Sequence, residues 1–414
     1  MKTATSLKRI SINNLRVGMY VHDVNCSWVD HPFLASGFMV KIGKTIDEIR
    51  GLGVHELFID TQKGSSSLVV AQPVNNANNR FFVAMDVLAL EVKAQPARAF
   101  LAHEAEHAGH LNADANRIVR DQLMNVRFGQ QIQLEQVEPL IEKMVDSIFR
   151  NQDALLPLLL LKEHDKYTFQ HSVSVCALLV SFARGMGLER ATIKEVAIGG
   201  LLHDVGKAKV PDDILNKPAK LTEAEFVQIK SHVVQGNVIL QNTPGISQIA
   251  LDVASQHHER FDGTGYPNKL KGEDISIFGR MGAIVDVYDA ITSDRVYHKG
   301  LPPTAALSRI LEWSAYHFDP ELVHIFIKSI GIYPTGSLVR LESGRLGVVI
   351  EQNAEKRMKP KVMVIFHAIQ QRYLTPEVLN LAWPGCRDRI TGHEAFSDWG
   401  IDPKRWIAQG GHNV

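Results

Sequence analysis

Histidines and aspartates recur along one helical stretch of the sequence, at positions where predicted helices end or present a face. Seven side chains in this stretch can bind a metal: His171, His203, Asp204, His232, His257, His258 and Asp286. Metal sites in helical bundles are built from inward-facing side chains on several helices. Ligands this far apart in the sequence can therefore meet only if the helices pack side by side. This requirement predicts an all-α bundle over residues 137–330.

Local signals support helices within this stretch. Thr192 with Glu195, and Thr222 with Glu225, are capping-box patterns that predict helix starts. The segment from about Thr168 to Arg184 is apolar nearly all round, which predicts a helix running through a core. Three glycines stand where helices are expected to stop: Gly185, Gly206 and Gly236.

The flanking segments follow other patterns. The first residues alternate short β-like runs with an amphipathic stretch, which is typical of a small α+β module. The Ala-rich polar segment after it predicts a linker with weak helix, and apolar residues at helical spacing then predict a connecting helix. Beyond the bundle, strand patterns at Ser337–Leu341, Arg345–Ile350 and Lys361–Phe366 predict a small β module. The fold is thus expected to be mainly α, divided as follows: N-terminal module, 1–68; linker and connecting helix, 69–136; helical domain, 137–330; β module, 331–383; tail, 384–414.

Composition excludes several classes of protein. Lys and Arg number 45 and Asp and Glu also number 45, so no overall basic field favours a nucleic-acid polymer as partner. The densest apolar run, Leu155–Leu161, is interrupted by a proline and is far too short to span a membrane. Three widely separated cysteines without a CxxC pair indicate a reducing compartment, and we expect the cytoplasm.

The ligand types point to a particular chemistry. Adjacent helical residues project about 100° apart, so His203 and Asp204 cannot aim at one metal in the same way, but the Asp204 carboxylate can bridge to a second metal. Imidazole and carboxylate ligands without thiolates suit iron, manganese or zinc. Two metals about 3.5–4 Å apart suit the hydrolysis of phosphate esters.

Two segments carry a family resemblance. Leu201–Lys207 reads LLHDVGK and His257–Pro267 reads HHERFDGTGYP, and the similarity continues through Asp286–Ala290 and back to Tyr167–Ser172, over about 165 residues. The sequence thus resembles the HD-GYP family of HD-domain phosphohydrolases. The resemblance implies an all-α, metal-dependent phosphodiesterase that hydrolyses cyclic di-GMP to linear pGpG and on to GMP.

The resemblance also implies roles for individual residues. The seven His and Asp residues named above would hold two divalent metal ions, with iron or manganese favoured and Asp204 as the bridge. Lys207 would contact phosphate near the metals. Gly265, Tyr266 and Pro267 would shape the substrate site, and Arg295 would bind a phosphate or guanine of the cyclic dinucleotide.

The sequence departs from the family pattern at one informative position. Members that bind three metals carry a Glu four residues before the first histidine, where this chain has Tyr167. Because a tyrosine with a pKa of about 10 is a poor ligand for a hard divalent metal, we expect two metals. The basic residue that some members place three positions after the arginine is here His298, followed by Lys299.

The N-terminal module contains the segments Val17–Val21 (VGMYV), His31–Phe33 (HPF) and Gly53–Asp60. In these segments it resembles an uncharacterised domain that often precedes HD-GYP domains. It carries no ligand-like cluster, so we expect a docking or dimerisation role for it. The expected protein partners are signalling proteins, which would bind this module or the GYP loop, and a second copy of the chain.

Three alternatives compete with this interpretation. His103-Glu104-Ala105-Glu106-His107 matches the zincin pattern HExxH, but its Ala-rich surroundings offer little apolar face, which favours a solvated helix. A regulatory protein-interaction module with weak activity is a second alternative, although all seven ligand positions are filled. The third is hydrolysis of another cyclic dinucleotide, 3′,3′-cyclic GMP-AMP, because the motifs describe phosphate chemistry rather than the base.

Overall fold

The computed structural model describes residues 7–23, 38–40, 43–50, 56–60, 62–63, 101–161, 167–217, 219, 221–294, 299–314 and 316–407. The chain divides into two compact units: residues 1–76 with 212–227, and residues 77–211 with 228–414. None of the helices in the described ranges has both the length and the apolar content needed to cross a bilayer.

The N-terminal residues form a small antiparallel sheet with one helix, α1 (Gly43–Arg50). The strands are β1 (Leu7–Ser11), β2 (Tyr20–Asp23), β3 (Phe38–Met39) and β4 (Glu56–Asp60), in the order β1-β4-β2-β3. Val21, Val40, Ile49 and Leu57 are fully buried between helix and sheet. The predicted α+β module is confirmed.

Helices dominate the middle of the chain, as predicted. Their bounds are α2 (Leu101–Arg127), α3 (Leu134–Leu155), α4 (Tyr167–Gly185), α5 (Arg190–Leu202), α6 (Asp212–Leu215), α7 (Glu223–Gln241), α8 (Gln248–Gln256), α9 (Ile277–Thr292), α10 (Pro303–Trp313) and α11 (Pro320–Ile330). The predicted core helix is α4, which packs against α5, α9 and α11 and buries Val173, Leu179 and Phe182 completely. Helix α9 is buried from Met281 to Ile291, so both helices run through the interior of the bundle.

The segment expected to be a linker with weak helix contains a 27-residue helix, α2, and the prediction of weak structure is wrong there. Ala108, Leu111, Ala115 and Val119 lie three or four positions apart and are all buried. Alanine gives little apolar contrast in a sequence, yet a small side chain lets two helices approach closely. Helix α2 packs through this face against α3 and α4.

The C-terminal residues form a five-stranded antiparallel sheet in the order β8-β7-β6-β5-β9. Its strands are β5 (Leu338–Leu341), β6 (Arg345–Glu351), β7 (Lys361–His367), β8 (Arg372–Asn380) and β9 (Ile390–Glu394). The prediction that residues 384–414 form an appended tail is wrong for β9, which pairs with β5. Helix α12 (Pro403–Ile407) then adds Trp406 and Ile407 to the core of the sheet.

A buried carboxylate joins this sheet to the helices. Asp153, at the end of α3, accepts hydrogen bonds from the Thr335 hydroxyl at 2.7 Å and from the Gln352 backbone N–H at 3.1 Å. The carboxylate is only 4% exposed, so both bonds are shielded from water. The β module is therefore hydrogen-bonded directly to the helical bundle.

Candidate metal centre

The seven predicted ligands come together at one point in the bundle. His171 lies on α4, His203 and Asp204 follow α5, His232 lies on α7, His257 and His258 follow α8, and Asp286 lies on α9. Three groups among them have ligand atoms within 4.8 Å of one another: His171, His203 and Asp286; His203, Asp204 and His257; and His232, His257 and His258. All seven are buried except His258, whose side chain is 14% exposed.

A close backbone approach brings Asp204 next to His232. Gly206 lies in the 3₁₀ turn Val205–Lys209, directly after Asp204, and packs against α7. A β-carbon on Gly206 would overlap the His232 carbonyl and the Gly236 N–H, so only glycine fits here. As a result, Asp204 Oδ1 lies 3.3 Å from His232 Nε2. Gly236 itself is a buried position inside α7, and the prediction that it ends a helix is wrong.

Backbone carbonyls orient three of the histidines. Nδ1 of His203 lies 2.8 Å from the Gly200 carbonyl, Nδ1 of His232 lies 2.7 Å from the Ile229 carbonyl, and Nδ1 of His257 lies 2.8 Å from the Ala254 carbonyl. A carbonyl can only accept, so each Nδ1 carries the proton and donates it. Each Nε2 is left with its lone pair facing the centre, which is the form that binds a metal.

The two carboxylates occupy different sides of this centre. Asp204 Oδ2 lies 3.3 Å from His203 Nε2 and 3.6 Å from His171 Nε2. Asp286 Oδ1 lies 3.0 Å from His171 Nε2, and its Oδ2 lies 3.7 Å from His258 Nδ1. Asp204 faces His232 with one oxygen and His171 and His203 with the other, so it stands between the groups of histidines.

Three ligand atoms are buried without a hydrogen bond: His203 Nε2, Asp204 Oδ1 and Asp286 Oδ2. Leaving such groups unsatisfied costs about 1–3 kcal/mol each, and more for charged groups. Two carboxylate oxygens and an imidazole nitrogen together form a donor set that a divalent cation can satisfy. The residues present therefore fit a metal.

Three of the imidazoles are kept neutral. Burial lowers the pKa of His232 to about 4 and that of His257 to about 3. Burial and the neighbouring His257 hold the pKa of His258 well below its ordinary value. At neutral pH these three rings therefore carry lone pairs rather than charges.

The carboxylates are kept ionised. Burial alone would raise the pKa of Asp204, but Lys207 and His203 outweigh it and hold this pKa well below its ordinary value. Burial is likewise outweighed at Asp286, where the hydrogen bond and charge of His171 lower the pKa. At His203 burial opposes protonation, yet Asp204 and Asp286 prevail and raise its pKa. The two carboxylates thus favour a cation at this point.

Lys207 lies at the edge of the centre, in the same 3₁₀ turn that follows Asp204. Its Nζ lies 2.5 Å from Asp204 Oδ2, and its side chain is 23% exposed. A cation that is half-buried beside the ligands and still reachable from solvent can meet an incoming anion.

The predicted substrate loop packs directly on the ligands. The Tyr266 ring stacks on His258, with centroids 4.6 Å apart, and the Tyr266 N–H donates to the His258 carbonyl at 3.1 Å. A β-carbon on Gly265 would overlap the backbone of Glu259 and Arg260. Pro267 follows Tyr266 through a cis peptide bond. The loop and the metal centre therefore form one continuous structure.

Two buried carboxylates beside the site were not predicted as functional residues. Glu259 accepts hydrogen bonds from the backbone N–H groups of Asn268 at 2.7 Å and Leu270 at 3.1 Å, which closes the loop. Asp289 Oδ2 lies 2.6 Å from His171 Nδ1. The signal for Asp289 was its spacing, since it lies one helical turn after Asp286 and so shares its face.

Some predicted positions fall elsewhere. Arg295 and His298 lie outside the described residues, as does the side chain of Tyr167. In the HExxH segment on α2, Glu104 is buried and pairs with Arg150 at 2.6 Å, while His107 is exposed. This pairing gives Glu104 a structural role and does not support a zincin site, although the side chain of His103, the first histidine of the motif, lies outside the described residues.

Comparisons with known proteins find two domain families and several relatives. Residues 156–322 match the family model of the HD domain, and residues 7–137 match a domain of unknown function, DUF3391. A cyclic di-GMP phosphodiesterase of Pseudomonas aeruginosa is 42% identical over 396 residues, covering 95% of this chain and 93% of that protein.

Two further relatives match over shorter lengths. A cyclic di-GMP phosphodiesterase of Thermotoga maritima is 37% identical over 197 residues, which are 46% of this chain and 53% of that protein. A 3′3′-cGAMP-specific phosphodiesterase of Vibrio cholerae is 36% identical over 162 residues, or 39% and 31% of the two chains. With a near full-length relative and an HD domain that carries the GYP loop, this chain belongs to the HD-GYP family of metal-dependent HD-domain phosphohydrolases.

Proposed function

We propose that this protein hydrolyses the phosphodiester bonds of cyclic di-GMP, giving pGpG, GMP or both, at a centre of two divalent metal ions. The observation that carries the proposal is the placement of Asp204 between two groups of buried histidines. The near full-length relative of P. aeruginosa, named as a cyclic di-GMP phosphodiesterase, supports this choice of substrate.

The ligands divide into two sets with Asp204 between them. His171, His203 and Asp286 would hold one metal, and His232, His257 and His258 would hold the other. Their mixture of imidazole and carboxylate, without thiolate, favours iron or manganese. When bound, two such ions provide a nucleophile at neutral pH and offset the negative charge of the phosphate in the transition state.

The chain's own residues supply the remaining functions. Lys207, beside Asp204 and partly exposed, would meet the phosphate under attack, where negative charge develops. Gly265, Tyr266 and Pro267 would bound the substrate site next to His258. On the family pattern alone, Arg295 would hold a phosphate or guanine of the substrate through its planar guanidinium group.

A second candidate substrate is 3′,3′-cyclic GMP-AMP. A V. cholerae relative that is 36% identical over 162 residues is named as specific for that dinucleotide. The metal ligands act on the phosphate and do not select the base, so they suit both substrates.

The cytoplasm is the proposed compartment, and signalling proteins or a second copy of the chain are the proposed partners of the N-terminal module and the GYP loop.

The proposal is tested by assaying the protein, loaded anaerobically with Fe²⁺ or with Mn²⁺, against both dinucleotides. We expect cyclic di-GMP to be cleaved with the higher kcat/KM, with pGpG or GMP as products. Faster cleavage of 3′,3′-cyclic GMP-AMP would favour the second candidate. If protein shown to contain metal cleaves neither dinucleotide, a protein-interaction role would remain.

A further inference from the structure

His171 is oriented differently from the other buried histidines of the centre. His203, His232 and His257 each donate Nδ1–H to a backbone carbonyl three residues earlier. His171 Nδ1 instead meets a carboxylate oxygen, Asp289 Oδ2, at 2.6 Å. A side chain on another helix therefore orients the His171 ring, whereas backbone carbonyls orient the other three rings.

The geometry places the His171 ring between two carboxylates of one helix. Asp286 and Asp289 are three residues apart on α9, so they project from the same face. Asp286 Oδ1 lies 3.0 Å from Nε2 of the ring, while Asp289 Oδ2 holds Nδ1 on the other side. His171 and Asp289 are 2% and 3% exposed, so water does not compete for this contact.

We propose that Asp289 is a positioning residue of the metal centre: it fixes the His171 ring with the proton on Nδ1 and the Nε2 lone pair facing the metal. An ionised carboxylate can only accept a hydrogen bond, so it selects this tautomer as well as the ring angle. Carboxylates that orient ligand histidines in this way commonly contribute about 10- to 100-fold to metal affinity. The inference rests on the proposed metal centre.

The role also assigns Asp289 to one side of the centre. His171 belongs to the group with His203 and Asp286, and not to the group of His232, His257 and His258. Loss of Asp289 should therefore weaken one metal and spare the other. A general loss of packing would not make that distinction.

The test is Mn²⁺ binding by the full-length Asp289→Asn variant, measured by titration of metal-free protein. The amide can offer its NH₂ to Nδ1, which would move the ring proton to Nε2 and block that ligand. We expect affinity for one Mn²⁺ per chain to fall by about 10- to 100-fold while the other Mn²⁺ binds as in the wild type. Two Mn²⁺ bound with wild-type affinities would overturn the proposal.

Asp153→Asn is the matched control. Asp153 is 4% exposed, like Asp289, but its partners are Thr335 and Gln352 rather than a ligand. Its replacement should lower the melting temperature and leave both Mn²⁺ affinities unchanged. An equal loss of Mn²⁺ affinity in both variants would mean that Asp289 acts only through general stability.

A measurement on the wild type keeps the inference testable if Asp289→Asn fails to fold. In ¹⁵N-histidine spectra of Zn²⁺-loaded protein, assigned with His171→Gln, His171 should show a protonated Nδ1 and a Zn²⁺-bound Nε2. A proton on Nε2 would refute the proposal. Because these readouts are metal binding and ring protonation, they stand apart from the choice of substrate and would survive a failure to cleave cyclic di-GMP.

Discussion

Acidification should destabilise the metal-free protein, because folding keeps His232 and His257 neutral. Their pKa values in the fold are about 4 and about 3, whereas an unfolded histidine titrates near 6.5. Since the unfolded chain then binds more protons than the folded one, stability falls as the pH drops below the unfolded value. About pH 5 lies about 1.5 pH units below the unfolded pKa of 6.5. Each histidine lowers the free energy of unfolding by about 1.4 kcal/mol per unit, or about 2 kcal/mol in all. The pair together should cost about 4 kcal/mol relative to about pH 7.5.

The assay is chemical unfolding of metal-free protein, followed by helical circular dichroism, for the wild type and for His257→Gln. The variant lacks one buried histidine, so its free energy of unfolding should fall about 2 kcal/mol less between these two pH values. His110, exposed on α2, provides the control His110→Gln, for which the wild-type pH dependence is expected. Parallel pH profiles for the wild type and His257→Gln would refute the claim that the fold excludes a proton from His257.

Three further predictions concern the site. Asp204→Ala should abolish hydrolysis and remove most bound metal while the helical circular dichroism is retained, and near wild-type turnover would contradict the bridging role. Lys207→Met should lower kcat more than it raises KM. Arg295→Ala should raise KM by about 10- to 100-fold at unchanged metal content. If steady-state kinetics of both variants match the parent, the substrate binds elsewhere. Gly206→Ala should lower the free energy of unfolding by about 1–3 kcal/mol, because its methyl group meets the His232 carbonyl. Gly109→Ala, which has open space on α2, is its control and should be neutral or stabilising in the same denaturation assay.

The sequence predicted the helical domain and the set of residues that converge in it. Ligand residue types are visible in a sequence, and their wide spacing requires a bundle. Thr222 and Glu225 form the predicted capping box, with Thr222 N–H donating to Glu225 at 2.7 Å. The similar pair Thr192 and Glu195 does not, because α5 already begins at Arg190.

The parts that sequence reasoning missed depend on long-range contacts. Helix α2 is held by a face rich in alanine, whose burial becomes apparent only when α3 and α4 are in place. Strand β9 has no strong period, and its pairing with β5 spans about 50 residues. Gly236 resembles a helix stop but lies inside α7, where the turn carrying Gly206 approaches closely. In each case the partner, rather than the local pattern, determines the structure.

The central proposal is that the chain cleaves cyclic di-GMP when its ligands hold two divalent metals, with Asp204 lying between the two groups of ligands. It is tested most directly by adding Mn²⁺ stepwise to metal-free protein under anaerobic conditions and measuring cyclic di-GMP cleavage at each addition. We predict that the rate rises until about two Mn²⁺ are bound per chain and then remains constant, since the ligands form two groups around Asp204. A rate that saturates at one bound Mn²⁺, or no cleavage with both positions filled, would contradict the claim.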